Sequence, residues 1–497
     1  MFEFGSADPD YFEPSDTPAS RALIDEIAAA ARTENQSAAS RLAAIGKLFE
    51  SRRVEREETK DWAIDSWAAV GAEVAAKLRI SVGMANSYIY YARAMHERLP
   101  KVAEVFAEGE IDFRTFQTIV YRTDLIKDED SLAVVDAQVA ERARRWPSMT
   151  QGRLSALVDR IVARVDRDAV RQKRKMNNDR EVEIWDLEAG MSGMAGSLFT
   201  ADAKLLDQRL NALADSVCPA DPRTREQRRA DALGALAAGL QRLSCRCDSD
   251  HCAAGGRVPN ASNVVIHIVA DQAAAEGRAE TPGHMVETNE LIPAELIAEL
   301  AREARLRPLF DPAGAPPEPG YRPSQKLADF VRCRDLTCRA PGCDVPAVDC
   351  DIDHTIPYSE GGLTHASNLK CYCRTHHLLK TFWGWRDKQL PDATVIWTLP
   401  SGQTYVTTPG SALLFPTLCA PTAELPPPDP KRADRTGNRT VMMPRRDVTR
   451  AESRARYVAA ERARNRKLRA ARNPPKWLDI WDIASRPPNP NEEPPPF

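Results

Sequence analysis

The sequence predicts a multidomain protein with a mainly α N-terminal region, which contains a small β element, and a C-terminal α+β segment held together by zinc. Apolar residues recur at three-to-four spacing from about residue 21 to 170, which is typical of helices that pack in a bundle. Six prolines fall within residues 307–323, a composition that indicates a linker. Six of the eleven cysteines lie between Cys333 and Cys373, which indicates a separate metal-bound segment.

The composition excludes several classes of protein. With 43% hydrophobic and 28% charged residues, the 497-residue chain can bury a sizeable core. The balance of 68 Lys and Arg against 71 Asp and Glu excludes a uniformly basic coat for nucleic acid, so any basic surface is local. The sequence has no apolar run of about 18 residues, so we expect no membrane partner. The acidic N-terminus does not look like a secretory signal. We therefore expect a cytoplasmic, reducing location, where cysteines serve as thiols or metal ligands.

The order of these signals predicts the domain organisation. Residues 181–199 predict a β-hairpin, and residues 263–270 predict a short buried strand within the N-terminal region. Residues 431–473 carry 15 Lys and Arg against 4 Asp and Glu, which favours equally a nucleic-acid contact and a solvated helix or disordered arm. The predicted segments are a disordered N-terminus (1–17), a mainly helical domain (18–306), a Pro-rich linker (307–323), a metal-bound domain (324–418) and a Pro/Arg-rich basic tail (419–497).

Two ligand pairs predict a structural zinc site. Cys338-x4-Cys343 is followed about thirty residues later by Cys373-x2-His376, and two such pairs can close one tetrahedral site. Zinc would stabilise a segment with little hydrophobic core of its own. Other cysteines compete for this ligand set: Cys333, Cys350 and Cys371. In particular, the pair Cys371-x4-His376 could replace Cys373-x2-His376, which gives a second possible register of ligands.

A second pattern overlaps the zinc pairs. Asp353-His354 is followed by Gly361-Gly362, then Asn368, then His377. This order resembles the HNH, or ββα-metal, endonucleases, in which Asp-His ends one strand, Asn lies in the loop or second strand, and His begins a helix.

The resemblance implies a role for each residue in phosphodiester hydrolysis. Asp353 and His377 would bind a catalytic divalent cation, Mg²⁺ or Mn²⁺, and neutral His354 would act as general base on water. Asn368 would either bind the cation or orient the loop that carries His354, and both roles stay open. Lys380 lies one turn beyond His377 and would contact a DNA phosphate, although a solvated lysine fits equally well.

Other stretches extend the resemblance along the chain. They are Trp383-Gly384-Trp385, a predicted hairpin at residues 395–398 and 404–407, and the N-terminal stretch LRISVGMANSYIYYARAMHERLPKVAEVFAEGEIDF. Together with the arginine-rich tail, they make the chain similar to the actinobacterial, especially mycobacterial, 13E12 repeat family. Its members pair an N-terminal domain of unknown function with a C-terminal HNH domain.

Two weaker signals are independent of this pattern. Residues 72–96 could form a helix-turn-helix, but the predicted second helix is poor in Lys and Arg, with only Arg93, which disfavours DNA reading. Cys245, Cys247 and Cys252, with His251 nearby, could hold a second zinc ion, but the sequence shows no further ligand pair.

The sequence therefore predicts a metal-dependent endonuclease of DNA that contains structural zinc. The alternative is a DNA-binding or mobile-element-associated protein whose zinc-bound finger, residues 331–388, binds nucleic acid with little or no cleavage. A third hypothesis is a helical interaction protein with a purely structural finger.

Overall fold

A computed structural model describes residues 17–56, 59–147, 149–171, 180–187, 190–247, 249, 252, 267–288, 290–301, 304–427 and 442–472. The chain forms two compact units, each built from separate stretches. The described residues within 1–70, 83–173 and 444–497 make unit one, and those within 71–82 and 174–443 make unit two. The predicted disordered segment 1–17 lies outside the described residues except for Thr17.

Unit one is helical, as the three-to-four spacing predicts. Its described helices, with α2 shared between the units, are α1 (Pro18–Glu55), α2 (Ser66–Leu78), α3 (Val82–Arg93), α4 (Pro100–Ala107), α5 (Phe113–Thr123), α6 (Glu129–Ala143) and α7 (Gln151–Val165). Several begin where a side chain accepts a bond from a free backbone N–H group: Asp112, Asp128 and Thr150 cap α5, α6 and α7. The carboxylate of Asp136, on α6, accepts bonds from the first N–H groups of α4.

Aromatic and aliphatic side chains form the core of unit one. The ring of Phe106 stacks on that of Phe116, with centroids 5.0 Å apart, and both side chains are fully buried. Leu42, Ile89 and Leu99 are also fully buried, so α1, α3 and the start of α4 all contribute to one core. This arrangement confirms the mainly helical N-terminal region.

The basic C-terminal helix α14 (Arg450–Arg472) packs within unit one. Arg454 pairs with the buried carboxylate of Asp124, and Arg462 bonds Asp166 at 2.5 Å. The buried amide of Asn465 donates to the backbone carbonyls of Asp168 and Val170, which follow α7. Part of the predicted basic tail is therefore an ordered helix whose charges are partly neutralised by aspartates.

The N-terminal part of unit two contains short sheets among helices. Strands β1 (Glu181–Asp186) and β2 (Ser192–Ser197) form the predicted hairpin. The further elements of this part are α8 (Thr200–Ala214), α9 (Arg225–Ala237), β3 (Ile268–Val269), α10 (Gln272–Ala275), β4 (Gly283–Met285), β5 (Glu290–Ile292) and α11 (Ala294–Ala301). A second sheet has the order β3-β4-β5, and the predicted strand at residues 263–270 is described only from His267.

The C-terminal part of unit two contains the Cys/His-rich segment. Helix α12 (Gln325–Asp335) precedes an antiparallel pair, β6 (Cys350–His354) and β7 (Leu369–Cys373), and then helix α13 (Arg374–Phe382). A three-stranded sheet follows, formed by β8 (Arg386–Gln389), β9 (Val395–Thr398) and β10 (Thr404–Thr407) in the order β10-β9-β8. The hairpin predicted at residues 395–407 is confirmed.

A buried charged cluster connects these elements. The carboxylate of Asp335 accepts bonds from Arg334 and from the N–H group of Cys371, and it pairs with Arg339. The two guanidinium groups then bond carbonyls of Leu369 and Thr407. Burial alone would raise the pKa of Asp335, but the two arginines outweigh it and hold that pKa below its usual range. The cluster fixes α12 against β7 and β10.

Two further findings bear on the sequence predictions. The stretch predicted as a helix-turn-helix does form α2 and α3, but the boundary between the units falls at residue 83, within it. The Pro-rich segment predicted as a linker pairs with the Cys/His-rich segment, because the N–H group of Glu318 donates to the carbonyl of Thr364 at 2.9 Å.

Within the described residues, no helix has the length and apolar character that crossing a membrane requires.

Candidate functional site

The four residues predicted to bind structural zinc lie together. The ligand atoms of Cys338, Cys343, Cys373 and His376 all lie within 4.8 Å of one another. The Sγ atoms of Cys343 and Cys373 are 3.9 Å apart, close to the roughly 3.8 Å expected for two thiolates on one tetrahedral zinc ion. Hydrogen bonds from the thiols of Cys338 and Cys343 hold the pKa of Cys373 well below its usual range. The donor set fits zinc, and occupancy stays a prediction.

The competing cysteines lie outside this cluster. The thiol of Cys371 is fully buried and points to the carbonyl of Val331, and that of Cys350 donates to the carbonyl of Pro346. Cys333 lies on α12, and its thiol is not among the ligand atoms gathered in this cluster. The geometry therefore favours the register that contains Cys373.

Asp353 and His377 approach each other as the second pattern predicts. Asp353 lies near the end of β6 and His377 in the first turn of α13, and Oδ1 of Asp353 is 3.5 Å from Nε2 of His377. Two ligand atoms that are each about 2.1 Å from one ion, at a right angle, lie about 3 Å apart. His377 keeps 22% of its side chain exposed, so a substrate could reach this position.

Asp351 was missed at the sequence level. Its Oδ2 atom lies 2.8 Å from Nδ1 of His377, so Nε2 of that ring faces Asp353. A carboxylate behind a ligating histidine commonly fixes its tautomer and orientation. Asp351 lies two residues before Asp353 on β6, and strand alternation places both on one face. That periodicity could have identified it.

Lys380 bonds the carboxylate oxygen of Asp353 that does not face His377. Its Nζ atom lies 2.6 Å from Oδ2 of Asp353, 2.6 Å from the carbonyl oxygen of His354 and 3.1 Å from Asp387. Burial would lower the pKa of Lys380, but Asp353 and Asp387 outweigh it and raise that pKa. These contacts favour a role for Lys380 in orienting Asp353, and they do not support the predicted phosphate contact.

A second lysine completes a charge-balanced network. Lys370 is fully buried, and its Nζ atom lies 2.6 Å from Asp387 on β8 and 2.8 Å from the hydroxyl of Thr355. It is the partner of Asp353 in the β6–β7 register. With Lys380, it surrounds Asp353 with positive charge, which holds the pKa of that carboxyl below its usual range although burial alone would raise it. Asp353 is therefore an anion, as a metal ligand must be.

The contacts of His354 determine which ring nitrogen can accept a proton. The hydroxyl of Thr364 donates its proton to the carbonyl of Gly320 at 2.6 Å. Since that hydroxyl has no second proton, its 3.0 Å contact with Nε2 of His354 requires the ring to donate. Neutral His354 then carries its lone pair on Nδ1. Burial lowers the pKa of His354 to about 4, so the ring is neutral near pH 7.

Two tyrosines pack against the ring of His354. Tyr321 stacks on it with centroids 5.3 Å apart, and Tyr358 meets it edge-on at 5.8 Å. Tyr321 and Gly320 both come from the segment predicted as a linker. No local signal in the sequence pointed to them, because Tyr321 contacts His354, and Gly320 contacts Thr364, across more than thirty residues of sequence.

Asn368 orients a loop. Its Oδ1 atom accepts a bond from the N–H group of Ile356, and its amide donates to the carbonyls of Ile356 and Leu363. The same loop needs the predicted glycine pair, because Gly361 has a φ of +89° and a Cβ on Gly362 would collide with the carbonyl of Ile356. Of the two predicted roles, these contacts favour loop orientation over metal binding.

The chemistry available here is base catalysis beside an oxygen–nitrogen ligand pair. His354 offers a lone pair, while Asp353 and His377 offer ligand atoms for a divalent cation. Asp351, Lys380, Thr364 and Asn368 fix these groups through the contacts above.

Comparison with known proteins places most of the chain in a family. A family model described as "Domain of unknown function (DUF222)" matches residues 29–335. The uncharacterized proteins Rv2100 and Rv3776 of Mycobacterium tuberculosis H37Rv are each 43% identical to this chain. The first alignment covers 96% of this chain and 92% of the relative, and the second covers 93% of each. No solved structure matches.

Proposed function

This chain belongs to the DUF222 family, and we propose that it is a metal-dependent endonuclease that hydrolyses phosphodiester bonds of DNA. The family match ends at residue 335, so the proposal rests on the segment that follows it. We further propose that the C-terminal segment is an HNH domain and that the chain is a member of the 13E12 repeat family. The names of the relatives assign no activity.

One observation carries the proposal. Oδ1 of Asp353 and Nε2 of His377 lie 3.5 Å apart on a strand–strand–helix unit, and His354 directly follows Asp353 on the strand. A structural role alone would not require a hard oxygen ligand, an oriented imidazole and a neutral base to converge in one place.

The residues of this chain divide the proposed reaction among them. Nδ1 of His354 takes a proton from water as the water oxygen attacks phosphorus, and the P–O bond to the leaving oxygen breaks. A divalent cation, Mg²⁺ or Mn²⁺, held by Asp353 and His377, would offset charge on the phosphate and stabilise the leaving oxygen. Thr364 holds Nε2 of His354, so that Nδ1 stays the basic atom.

Affinity for DNA would come largely from outside the finger. Residues 331–388 carry 8 Lys and Arg against 7 Asp and Glu, so this segment has little net attraction for phosphate. We propose that the basic residues within 431–473 supply it. Helix α14 still presents exposed cationic side chains, such as Arg456 and Lys467, beside the arginines that pair with aspartates. A cytoplasmic location would give the protein access to DNA.

Plasmid cleavage tests the nuclease. Purified full-length protein is compared with His354→Ala in Mg²⁺, in Mn²⁺ and in chelator, with His267→Ala as matched control. His267 is an exposed histidine of unit two that pairs with Glu287, far along the chain from the finger. We expect metal-dependent nicking or linearisation by the wild type and the control, and none by His354→Ala. Equal cutting by all three proteins would point to a contaminant and overturn the proposal.

A second candidate function is DNA binding with little or no cleavage, as in an assembly or mobile-element-associated protein. The close pairing of Asp353 with Lys380 favours it, because an internally neutralised carboxylate attracts a cation less strongly. In that case His354→Ala would bind DNA as the wild type does and neither would cut. A finger with only a structural role would show no salt-dependent affinity for DNA.

A further inference from the structure

A second group of four cysteines lies outside the site described above. The ligand atoms of Cys218, Cys245, Cys247 and Cys252 all lie within 4.8 Å of one another. The sequence pointed to three of these residues but not to Cys218, which precedes Cys245 by 27 positions. His251, the other ligand considered, lies outside the described residues. The structure therefore supplies the fourth thiol that the sequence pattern lacked.

The cluster connects the end of a helical hairpin to the loop that follows it. Cys218 comes shortly after α8, and the other three cysteines follow α9. The hairpin has a small core of buried residues: Leu210, Leu213, Ala232, Ala235 and Leu243. Two of the five are alanines, so the apolar area buried here is modest. Small cores of this kind commonly depend on a disulfide or a structural metal.

A network around Arg223 holds the two cysteine-bearing segments at a fixed distance. The guanidinium bonds both carboxylate oxygens of Asp221 and reaches Asp231 on α9 at 2.6 Å. It also donates to the carbonyl of Ser244, directly before Cys245. From the other side, Asp221 accepts a bond from the N–H group of Arg246. These contacts place Cys245 and Cys247 opposite Cys218 without using the thiols, which leaves the sulfur atoms for another partner.

We propose that Cys218, Cys245, Cys247 and Cys252 bind a second structural zinc ion in a four-thiolate site. Two thiolates on one tetrahedral zinc lie about 3.8 Å apart, and the Sγ atoms of Cys218 and Cys245 are 3.4 Å apart. Four sulfur ligands in tetrahedral arrangement are typical of zinc or iron–sulfur sites and exclude Mg²⁺ or Ca²⁺. Four protein ligands leave no open position, so the ion has a structural role and not a catalytic one.

The site would stabilise the family-matched part of the chain. All four cysteines lie within residues 29–335, whereas the first zinc cluster begins at Cys338. The ion would cross-link the α8–α9 hairpin to the loop at residues 244–252. The proposal does not depend on nuclease activity, because neither cluster contains His354 or Asp353.

Metal content and cobalt spectra of the full-length protein test the proposal. We expect two zinc ions per chain for the wild type, and one for both Cys218→Ser and Cys343→Ser, which each remove one ligand from a different cluster. Cys419→Ser is the matched control with two zinc ions, because the thiol of Cys419 bonds Ser411 and lies outside both clusters. After cobalt substitution, Cys343→Ser should keep the longer-wavelength bands of a four-thiolate site, and Cys218→Ser those of a site with one imidazole.

A further variant separates loss of a ligand from misfolding. Cys218→His keeps a zinc ligand, so we expect two zinc ions per chain and cobalt bands shifted towards those of a mixed site. One zinc ion in the wild type, unchanged in Cys218→Ser, would overturn the proposal. A disulfide would also overturn it: thiols titrated without reductant, after denaturation in chelator, would then number nine or fewer instead of all eleven. Iron in place of zinc would refute the identity of the metal.

Discussion

The carboxylate of Asp351 lies 2.8 Å from Nδ1 of His377, on the side of the ring opposite to Asp353. The contact joins the first strand of the finger to its helix, across 26 residues of sequence. It makes Nδ1 the protonated nitrogen and leaves the lone pair of Nε2 for a cation. The orientation of the imidazole is thus fixed by a residue that is not itself part of the proposed ligand pair.

Replacement of Asp351 tests this orientation. We expect Asp351→Asn to weaken affinity for the catalytic cation by about 10- to 100-fold, because the amide no longer attracts the Nδ1 proton as an anion does. The measurement is the Mn²⁺ concentration that gives half-maximal cleavage. Asp349→Asn, at an exposed position nearby, should leave that concentration unchanged. An identical metal dependence in both variants would contradict the role of Asp351.

Thr364 offers a test of the tautomer of His354. We expect Thr364→Val to lower the maximal cleavage rate by about fivefold with little change in KM, since losing one hydrogen bond costs about 1 kcal/mol. Nε2 of His354 and the carbonyl of Gly320 would both lose their partner. Thr364→Ser keeps the hydroxyl and should restore most of the rate. If serine fails to do so while the protein stays folded, the hydroxyl is not what matters.

The register of the first zinc cluster can be decided by two cysteine variants. We expect Cys373→Ser to lose the zinc ion of the finger and to lower the thermal unfolding midpoint, because the segment folds around its metal. Cys371→Ser should keep that ion, since the thiol of Cys371 faces the carbonyl of Val331. Zinc content by mass spectrometry, with unfolding followed in parallel, checks both. The opposite pattern would establish the register that contains Cys371.

The buried carboxylate of Asp335 predicts a dependence of stability on pH. Its pKa is below the ordinary value of 3.8, so the folded state releases this proton more readily than the unfolded state does. The stability that the ionised carboxylate of Asp335 contributes is therefore fully present above about pH 4, and it is lost as pH falls through the lowered pKa. We expect Asp335→Asn to cost about 3–5 kcal/mol at pH 7, because Arg334 and Arg339 lose their counter-ion.

The difference in stability between the wild type and Asp335→Asn should become smaller at acidic pH. Thermal unfolding of wild type and Asp335→Asn is compared from pH 7 to pH 3, with the exposed Asp344→Asn as control. A difference that stays constant over this range would show that Asp335 acts only through packing.

The arginines of α14 differ in what they contact, and this difference is testable. We expect Arg454→Ala and Arg462→Ala to lower the stability of the protein, since each removes a cationic partner from a carboxylate of unit one. The loss should be smaller for Arg454→Ala, because Asp124 keeps Arg171. Arg456→Ala, at an exposed position, should be nearly neutral for stability and should reduce the salt dependence of DNA binding. Urea unfolding and binding titrations at several salt concentrations measure the two effects. Equal loss of stability in all three variants would contradict the assignment.

Local signals in the sequence were enough to predict the helices of unit one and the hairpins, whereas the strand–strand–helix order of the finger was implied by the resemblance to HNH endonucleases. Helix and strand periodicities repeat at short spacing, so a short stretch of sequence is enough to recognise them. The motif residues from Cys338 to His377 also lie within one short stretch of the chain. Cys218, Tyr321 and Thr364 were missed as site residues because their partners are distant in sequence or lack a motif. The contacts of Asn368 and Lys380 could not be predicted either, since a sequence pattern does not show which atoms a side chain bonds.

The position of α14 has a consequence for the order in which the protein is made. Unit one begins with α1 and is completed by α14, and all of unit two after residue 173 is synthesised between them. During translation, the carboxylates of Asp166 and Asp168 therefore lack their arginine partners until α14 emerges, later than every other described helix. Asp124 has Arg171 by then but still lacks Arg454. Unit two can mature on the ribosome while unit one is still incomplete. A stalled or shortened chain would lack these counter-ions, and its first-made helices would be the ones that chaperones and proteases meet.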